Sequence, residues 1–249
     1  MNNSLLNLTE IRFSVPIREQ PIVDHISFTV YPNDFIILLG SNGSGKSSLI
    51  NLINRTITLT SGRITFLHRN LNQFTQQQLA RKIVTLTQNT ADNLFMDMTI
   101  AENARLSHMR GKNLLALDNK YVFFDFFKTY LRQFHIGLSE RLDTPVNQLS
   151  GGERQILTLA LQLQHNPNLI LLDEHTSALD PKTSTLIMER TYQAIVKRNM
   201  TCIMTTHHLD FALRYGNRLL ALKQGKIVHV VSEKEKKQLT KNDLLNDCY

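Results

Sequence analysis

The sequence predicts an α/β protein with a mostly parallel β-sheet, an antiparallel β subdomain at its N-terminus and an inserted α-helical lobe. Apolar runs alternate with amphipathic helical segments over residues 35–89 and 150–231, which is typical of a parallel sheet covered by helices. Residues 5–14 and 22–30 alternate apolar and polar side chains, as half-buried antiparallel strands do. Residues 90–148 carry helical patterns and no strand pattern, and so predict the lobe.

In the first half of the chain, the apolar run Phe35–Leu39 predicts a strand that is buried on both faces. Hydrophobic residues at helical spacing predict a helix from Lys46 to near Ile57, and Ser61 with Gly62 predicts a turn. The remaining elements predicted in this half are a strand over residues 63–67, a helix over residues 75–82 and a strand over residues 83–87.

The lobe and the second half continue in the same way. Helices are predicted in the lobe over residues 100–109 and 121–134. The phenylalanines of the second helix are interpreted as lobe core, and the alternative is that two of them serve a partner surface. We expect one domain, in which residues 1–89 and 165–249 form the α/β core and residues 90–164 form the lobe. The second half predicts helices over residues 150–164, 181–198 and 208–215, and strands over residues 169–172, 201–205, 218–222 and 227–231.

The composition is that of one large globular domain, because 42% of the 249 residues are hydrophobic and 20% are charged. No apolar run approaches the roughly 18 residues of a membrane span. The N-terminus lacks the basic and apolar segments of a signal peptide, so we expect a protein inside the cell. Basic residues are scattered despite a net charge of +7, and nucleic acid is not expected as a partner. Cys202 and Cys248 have no metal-ligand spacing, and no disulfide is expected.

Residues 40–48 form a glycine-rich loop between a predicted strand and a predicted helix. Glycine lets backbone amides approach a phosphate closely, and the positive end of the following helix favours an anion. Lys46 is expected to contact the outer phosphates and Ser47 to ligate Mg²⁺. The alternative is an ordinary glycine turn that caps a helix. The candidate nucleotide-binding residues of this loop are Gly40, Ser41, Asn42, Gly43, Ser44, Gly45, Lys46, Ser47 and Ser48.

A second pair of glycines stands at the predicted start of another helix, in the sequence Leu-Ser-Gly-Gly-Glu-Arg-Gln of residues 149–155. Ser150 and Glu153 have the spacing of a capping box, which accounts for the helix start locally. A cap does not explain why Gly151 and Gly152 are both glycine. The pair therefore indicates backbone donors that face an anion.

These stretches and four further motifs, in the same order, resemble the ATP-binding cassette (ABC) ATPases over nearly the whole chain. The resemblance implies a P-loop NTPase core of the RecA-like type that binds ATP with Mg²⁺ and hydrolyses the ATP. The loop of residues 40–47 matches Walker A, and residues 149–155 match the signature motif. The remaining matches are Gln88 with the Q-loop glutamine, residues 169–174 with Walker B and its glutamate, residues 177–180 with the D-loop, and His207 with the switch histidine.

The resemblance implies a role for each of these residues. Asp173 holds Mg²⁺ together with Ser47, while Gln88 contacts the ion or water and reports to the lobe. Glu174 is the general base that polarises the attacking water, and a carboxylate needs hydrogen-bond reach for that task. His207 positions the γ-phosphate and this glutamate, and the adjacent His208 is the competing candidate. The expected catalytic set is Glu174, His207, Gln88 and Lys46.

In the family, the signature motif of one subunit covers the nucleotide that is held by Walker A of another. Ser150, Gly151 and Gly152 are therefore expected to contact ATP of a second copy, and Asp180 of the D-loop is expected near the same nucleotide. One chain then carries half of a site, and ATP joins two copies.

Three positions depart from the family pattern or leave alternatives open. Family members stack adenine on an aromatic residue upstream of Walker A, and Phe13 is either that residue or strand core. His175 stands where proline is common, and it either tunes Glu174 or the dimer contact or is tolerated polar variation. Asn33 replaces a usual glycine in the turn before the Walker A strand, and asparagine tolerates the same backbone angles.

The motif set predicts the ATPase subunit of a bacterial ABC transporter. Residues 173–182, 215–218 and 235–245 resemble a subgroup of importer ATPases associated with permeases for amino acids or similar small solutes. The implied partners are a second ATPase copy, integral membrane permeases that contact residues 89–110, and a periplasmic or surface solute-binding protein. The implied location is the cytoplasmic face of the inner membrane, through the permease. The alternatives are a cytosolic ABC ATPase in an assembly or scaffold role, and a nucleotide-gated module without hydrolysis.

Overall fold

The computed structural model describes residues 3–109 and 120–248. Ten β-strands and ten α-helices lie in these two ranges. The strands are β1 (Leu6–Phe13), β2 (Val23–Val30), β3 (Phe35–Leu39), β4 (Ser61–Phe66), β5 (Arg69–Asn70), β6 (Ile83–Thr87), β7 (Leu169–Asp173), β8 (Thr201–Thr206), β9 (Arg218–Lys223) and β10 (Lys226–Val231). The helices are α1 (Lys46–Ile53), α2 (Gln76–Lys82), α3 (Ile100–Met109), α4 (Lys120–Arg132), α5 (Ile136–Ser139), α6 (Gly151–Leu163), α7 (Pro181–Lys197), α8 (Leu209–Arg214), α9 (Glu233–Lys236) and α10 (Lys241–Cys248).

The larger sheet has six strands in the order β10-β9-β3-β8-β7-β6. All neighbours except β9 and β10 are parallel, which confirms the mostly parallel sheet. All five residues of β3 are buried, as a strand covered on both faces requires. Because β3, β7 and β8 run in the same direction, their carboxyl ends meet at one edge, where ligands bind in such sheets.

The smaller sheet is antiparallel and has the order β2-β1-β4-β5. This confirms the antiparallel subdomain that the alternating pattern predicts. The predicted turn at Ser61 and Gly62 is wrong, because both residues begin β4. Gly62 has φ 92° at an irregularity in the pairing with β1, and a Cβ there would lie 2.3 Å from the carbonyl oxygen of Glu10. The glycine therefore serves a bulge between two strands.

The first helix is shorter than predicted. It ends at Ile53, before the predicted end near Ile57. Arg55 then adopts φ 60°, and its guanidinium donates to the carbonyls of Leu71 (3.1 Å) and Phe74 (2.6 Å). These long-range bonds fix the reversal that follows the helix. The short strand β5 and the C-terminal helices α9 and α10 were not predicted.

Two hydrophobic clusters cover the two faces of the larger sheet. One contains Ile36 and Leu38 together with the inner face of the antiparallel sheet. The other contains Phe35, Ile37 and Leu39 together with the lobe helices. Phe123 and Phe127 lie in this second cluster, as expected for lobe core, whereas Phe126 is 60% exposed and the prediction is wrong for that residue.

The lobe is helical in the part of the chain that the structure describes. Between residues 90 and 148, the described residues hold helices and one isolated bridge, from Thr99 to Pro145. Arg110, the last residue of the predicted permease contact, lies outside the described residues. None of the described helices is long and apolar enough to span a bilayer. The division of the chain at residues 89 and 164 stays a prediction.

Candidate nucleotide site

The glycine loop leaves the end of β3 and enters α1 at Lys46. Gly43 and Gly45 have φ 81° and 104°, in the left-handed region that favours glycine. A Cβ at Gly40 would lie 2.4 Å from the carbonyl oxygen of Leu222, and one at Gly45 would lie 2.6 Å from that of Ile22. These glycines therefore let the loop pack against the ends of the smaller sheet and of β9, beyond what an ordinary helix cap requires.

The loop contains a buried hydroxyl group with no hydrogen-bond partner. Ser44 is 3% exposed, and its Oγ has no partner among the described residues. A buried polar atom without a partner is costly, and a phosphate oxygen at the loop would supply one. This atom and the following helix N-terminus fit the phosphate groups of ATP.

The side chain of Lys46 is held against the backbone of its own loop. Its side chain is 4% exposed, and Nζ donates to the carbonyls of Gly40 (2.8 Å) and Ser41 (3.0 Å). Nζ also lies 3.3 Å from Oε1 of Glu174. The ammonium group is thus fixed at the mouth of the loop, next to the carboxylate at the end of β7.

Asp173 ends β7, and one of its carboxylate oxygens accepts hydrogen bonds from two hydroxyl groups. Ser47 Oγ donates to Oδ1 at 3.0 Å, and Thr205 Oγ1 donates to the same atom at 2.7 Å. Hydroxyl and carboxylate oxygens are the ligands that Mg²⁺ prefers, and Mg²⁺ in nucleotide sites keeps few protein ligands. Ser47 and Asp173 therefore fit the ion. Among the described residues, no group of three or more His, Cys, Asp or Glu side chains is arranged to hold a metal ion by itself.

Glu174 is held by its backbone as well as by its side chain. Its φ is 45°, in the left-handed region that non-glycine residues seldom adopt. Its amide donates to Thr205 Oγ1 at 3.0 Å, and its carbonyl accepts from the amide and hydroxyl of Ser177 at 2.9 and 2.8 Å. Three bonds thus stabilise a strained conformation that directs the carboxylate toward the loop.

His207 contacts the second oxygen of the same carboxylate. Its Nδ1 lies 3.2 Å from Oε2 of Glu174. The ring of His208 packs on that of His207 with centroids 4.1 Å apart, and partial burial and the neighbouring His207 lower the pKa of His208. The geometry brings His207 to Glu174, as the choice between the two histidines predicted. The residues beside them enclose a cavity of about 10 Å³, room for about one water molecule.

Gln88 is exposed just after β6. Its link to the lobe runs through Gln155, to which the sequence analysis assigned no role. Gln155 is buried on α6, and its Nε2 donates to the carbonyls of Gln88 (3.2 Å) and Thr87 (3.4 Å). The Q-loop backbone is therefore tied to the signature helix. The signal in the sequence was a glutamine in an apolar helical face.

The signature motif begins α6 with the predicted capping box. Ser150 Oγ accepts from the amide of Glu153 at 3.2 Å, and Glu153 accepts from the amide of Ser150 at 2.9 Å. A Cβ at Gly152 would lie 2.8 Å from Cγ2 of Thr183, and one at Gly151 would lie 3.2 Å from Leu179. The two glycines thus have a packing reason within the chain, which the sequence interpretation lacked.

Asp180, Phe13 and His175 complete the predicted residues. Asp180 caps α7, where Oδ1 accepts from the amide of Thr183 at 3.0 Å, and these bonds lower the pKa of the carboxyl. Phe13 is half-buried at the end of β1 and packs against the core, while its carbonyl accepts from the amide of Ile22 beside the loop. Its stacking on adenine stays a prediction. His175 is 3% exposed, and burial lowers its pKa to about 4.

The structure therefore gathers the glycine loop, Asp173, Glu174 and His207 at the carboxyl ends of β3, β7 and β8. The signature residues pack against residues 179–183. This arrangement can hold a polyphosphate with a divalent cation and present a carboxylate to it. Asn33, at φ 69°, adopts the backbone angles expected of a residue in place of glycine.

Comparisons with known proteins give one consistent result. The chain is 35% identical over 224 residues to a tyrosine transport ATP-binding protein of Clostridioides difficile, covering 90% of this chain and 89% of that protein. It is 30% identical over 213 residues to the phosphonates import ATP-binding protein PhnC of Fusobacterium nucleatum, covering 84% of this chain and 85% of that protein. A dimeric ATP-binding cassette in a post-hydrolysis state with ADP and phosphate superposes with a TM-score of 0.75 at 24% identity, covering 92% and 98% of the two chains. Residues 23–177 match the ABC transporter family model, and the chain belongs to that family.

Proposed function

We propose that this chain binds and hydrolyses ATP as one half of a nucleotide-sandwich homodimer that drives a bacterial importer. The observation that carries the proposal is the cluster at the ends of β3, β7 and β8, where Lys46 and His207 both contact the carboxylate of Glu174. A carboxylate base with a cation and a histidine beside it is an arrangement suited to phosphoryl transfer to water.

ATP binds with its outer phosphates against the amides of residues 40–48 and the ammonium group of Lys46. Ser47 and Asp173 would hold Mg²⁺, with Gln88 nearby, and the ion would supply positive charge beside the phosphates. Glu174 accepts the proton of the attacking water, and His207 keeps the carboxylate in place through its 3.2 Å contact. Lys46 and the loop amides stabilise the charge that develops on transfer.

The second half of the site comes from another copy. Ser150 and Gly152 reach the γ-phosphate from the partner, with Gly151 and Asp180 beside them. The similar cassette is a dimer that holds ADP and phosphate, which supports a dimeric site here. ATP thus closes two copies, and hydrolysis opens them.

The closing motion is passed to membrane permeases through the lobe. Phe95, Met98 and Leu106 are apolar side chains exposed by 59%, 38% and 41%, close in sequence to Gln88. The relatives' names, tyrosine transport and phosphonates import, support a small polar solute, and the greater identity to the tyrosine protein favours an amino acid. A solute-binding protein outside the cell would deliver it, and the cassette would sit at the cytoplasmic face of the inner membrane.

The central test is Glu174→Gln. This variant keeps the hydrogen-bonding shape but loses the base, so we expect ATP binding to persist, turnover to stop, and an ATP-dependent dimer to accumulate. Light scattering of the variant with and without Mg-ATP measures the dimer, and phosphate release measures turnover. Wild-type turnover in the variant would remove Glu174 as the base. A variant that stays monomeric at saturating ATP would contradict the nucleotide sandwich.

Coupling to transport needs a separate measurement. The tagged chain, purified from detergent-solubilised membranes of its own organism, is expected to carry a permease encoded beside it. Purification without any integral membrane protein would reject the transporter assignment and favour the assembly role.

A further inference from the structure

The signature serine is held at the start of α6 by Glu153. Ser150 Oγ accepts from the amide of Glu153 at 3.2 Å. A hydroxyl group that accepts in this way can still donate its own hydrogen. The amide of Ser150 is occupied, because it donates to Oε2 of Glu153 at 2.9 Å. Glu153 therefore fixes the position of Ser150 at the N-terminus of α6.

Glu153 itself is held by an arginine from outside the motif. The guanidinium of Arg141 donates to Oε1 of Glu153, and its Nε donates to the carbonyl of Gly137 at 3.2 Å. Arg141, Glu153 and Ser150 thus form a chain of polar contacts from α5 to the N-terminus of α6. Arg141 stands in no motif that the sequence singles out.

The carboxylate of Glu153 would repel a phosphate group if no positive charge neutralised it. Partial burial raises the pKa of Glu153, but the bonds from Ser150 and the neighbouring Arg141 outweigh it and lower that pKa, so the side chain is ionised at neutral pH. A negative charge in the first turn of α6 repels an anion that approaches the same helix end. Arg141 cancels this charge without occupying the Ser150 hydroxyl.

We propose that Arg141 is a positioning residue that neutralises Glu153, so that the signature end of α6 can bind the polyphosphate of ATP held by a second copy. This inference rests on the proposed nucleotide sandwich. Glu153 aligns Ser150, and Arg141 removes the electrostatic penalty of using a carboxylate for that alignment. The pair acts only when the two copies close, because a chain binds its own ATP through residues 40–48.

The test is a cycle of variants in the Glu174→Gln background, in which ATP traps the dimer. The measurement is the ATP concentration at which half of the protein is dimeric, by light scattering. Arg141→Ala is expected to raise this concentration by about tenfold, since each of the two sites loses one neutralising charge. Adding Glu153→Gln removes the unpaired carboxylate but keeps an oxygen that can accept from Ser150, so the value should return to within about twofold of the parent.

Two controls separate this role from a merely structural one. Arg132 and Glu140 form another exposed ion pair of the lobe, at 2.5 Å, and Arg132→Ala should leave dimer formation unchanged. The affinity of monomeric protein for a fluorescent ATP analogue should be the same in the Arg141→Ala variant. If Arg141→Ala does not fold, Arg141→Gln takes its place in the cycle.

The outcomes distinguish the inference from the function on which it rests. Absence of any ATP-dependent dimer in the Glu174→Gln parent overturns the nucleotide sandwich. A parent that dimerises, together with an Arg141→Ala variant that dimerises equally well, overturns the role of Arg141. A double variant with Glu153→Gln that stays as weak as Arg141→Ala also overturns it, because a lost structural contact would not be restored by removing the charge.

Discussion

Lys46 differs from most lysines in having almost no contact with water. Its side chain is 4% exposed, and its ammonium group contacts two carbonyls of its own loop and the carboxylate of Glu174. A buried cation needs such partners to remain charged. The residue is therefore oriented before any phosphate arrives, and binding does not have to order a flexible side chain.

Lys46→Ala removes the only charge that the loop itself offers to the outer phosphates. A charge-assisted bond contributes about 1.5–3 kcal/mol, so ATP affinity should fall about ten- to a hundredfold. Calorimetric titration with a non-hydrolysable ATP analogue measures the change. Lys197→Ala, at an exposed position near the end of α7, is the control and should bind normally. Unchanged affinity of the Lys46→Ala variant would contradict the assigned phosphate contact.

Among the elements, α6 packs against α7 at a glycine. Gly152 lies where a Cβ would meet the methyl group of Thr183 at 2.8 Å. Real Cβ atoms do not come that close, so a side chain here would force Thr183 or the helix backbones to shift. The signature glycine is thus required by packing, and its proposed phosphate contact is a second and separable reason.

Gly152→Ala with and without Thr183→Ser separates the two reasons. The single variant should lower the free energy of unfolding by about 1–3 kcal/mol, because the added methyl group overpacks the helix contact. Thr183→Ser deletes the opposing methyl group and should recover most of that loss in urea denaturation. ATP-dependent dimerisation in the Glu174→Gln background should stay impaired in the double variant, since the methyl group still covers the backbone at Gly152. Full recovery of dimerisation would leave packing as the only role.

The sequence predicted most elements because their signals are local. Apolar period and length were enough for β3, β7 and β8, and a serine three residues before a glutamate was enough for the start of α6. The wrong predictions concern residues whose conformation depends on contacts with distant parts of the chain. Gly62 suggests a turn until β1 is seen beside it, and α1 ends early because Arg55 bonds to Leu71 and Phe74.

The candidate site also divides into residues that a local sequence pattern marks and contacts that it does not mark. Phosphate binding, Mg²⁺ binding and base catalysis each need a particular residue type. The sequence was therefore enough to find Lys46, Asp173, Glu174 and His207. Gln155 belongs to the signature motif, but its contact with Gln88 could not be found, and neither could the contact of Arg141 with Glu153, since no local pattern marks a partner. The packing role of Gly151 and Gly152 was missed for the same reason, because Thr183 lies 31 residues after Gly152.

For the molecule as a whole, His175 links stability to pH. It is buried with its Nε2 3.4 Å from Thr191 Oγ1, and burial lowers its pKa to about 4. In the unfolded chain a histidine binds a proton near pH 6.5. Between pH 6.5 and pH 4 the unfolded state therefore holds more protons than the folded state, and the free energy of unfolding falls as pH falls.

Lowering the pH from 7 to 5 should cost about 2 kcal/mol of stability through His175 alone. His175→Gln cannot be protonated, so its stability should depend on pH less steeply by that amount. Urea denaturation of both proteins at the two pH values measures the difference. Equal slopes for the two proteins would show that His175 is protonated as easily in the folded state as in the unfolded state.

The packing of the glycine loop against the C-terminal hairpin also bears on how the protein is made. Gly40 packs closely against the carbonyl of Leu222, and the carbonyl of Ser44 accepts a hydrogen bond from the amide of Gly225, about 180 residues further along the chain. Contacts of this range form late, because the intervening chain must first be present and ordered. During translation, these contacts can form only after β9 and β10 have emerged. By then the signature helix and the proposed catalytic residues have already been synthesised.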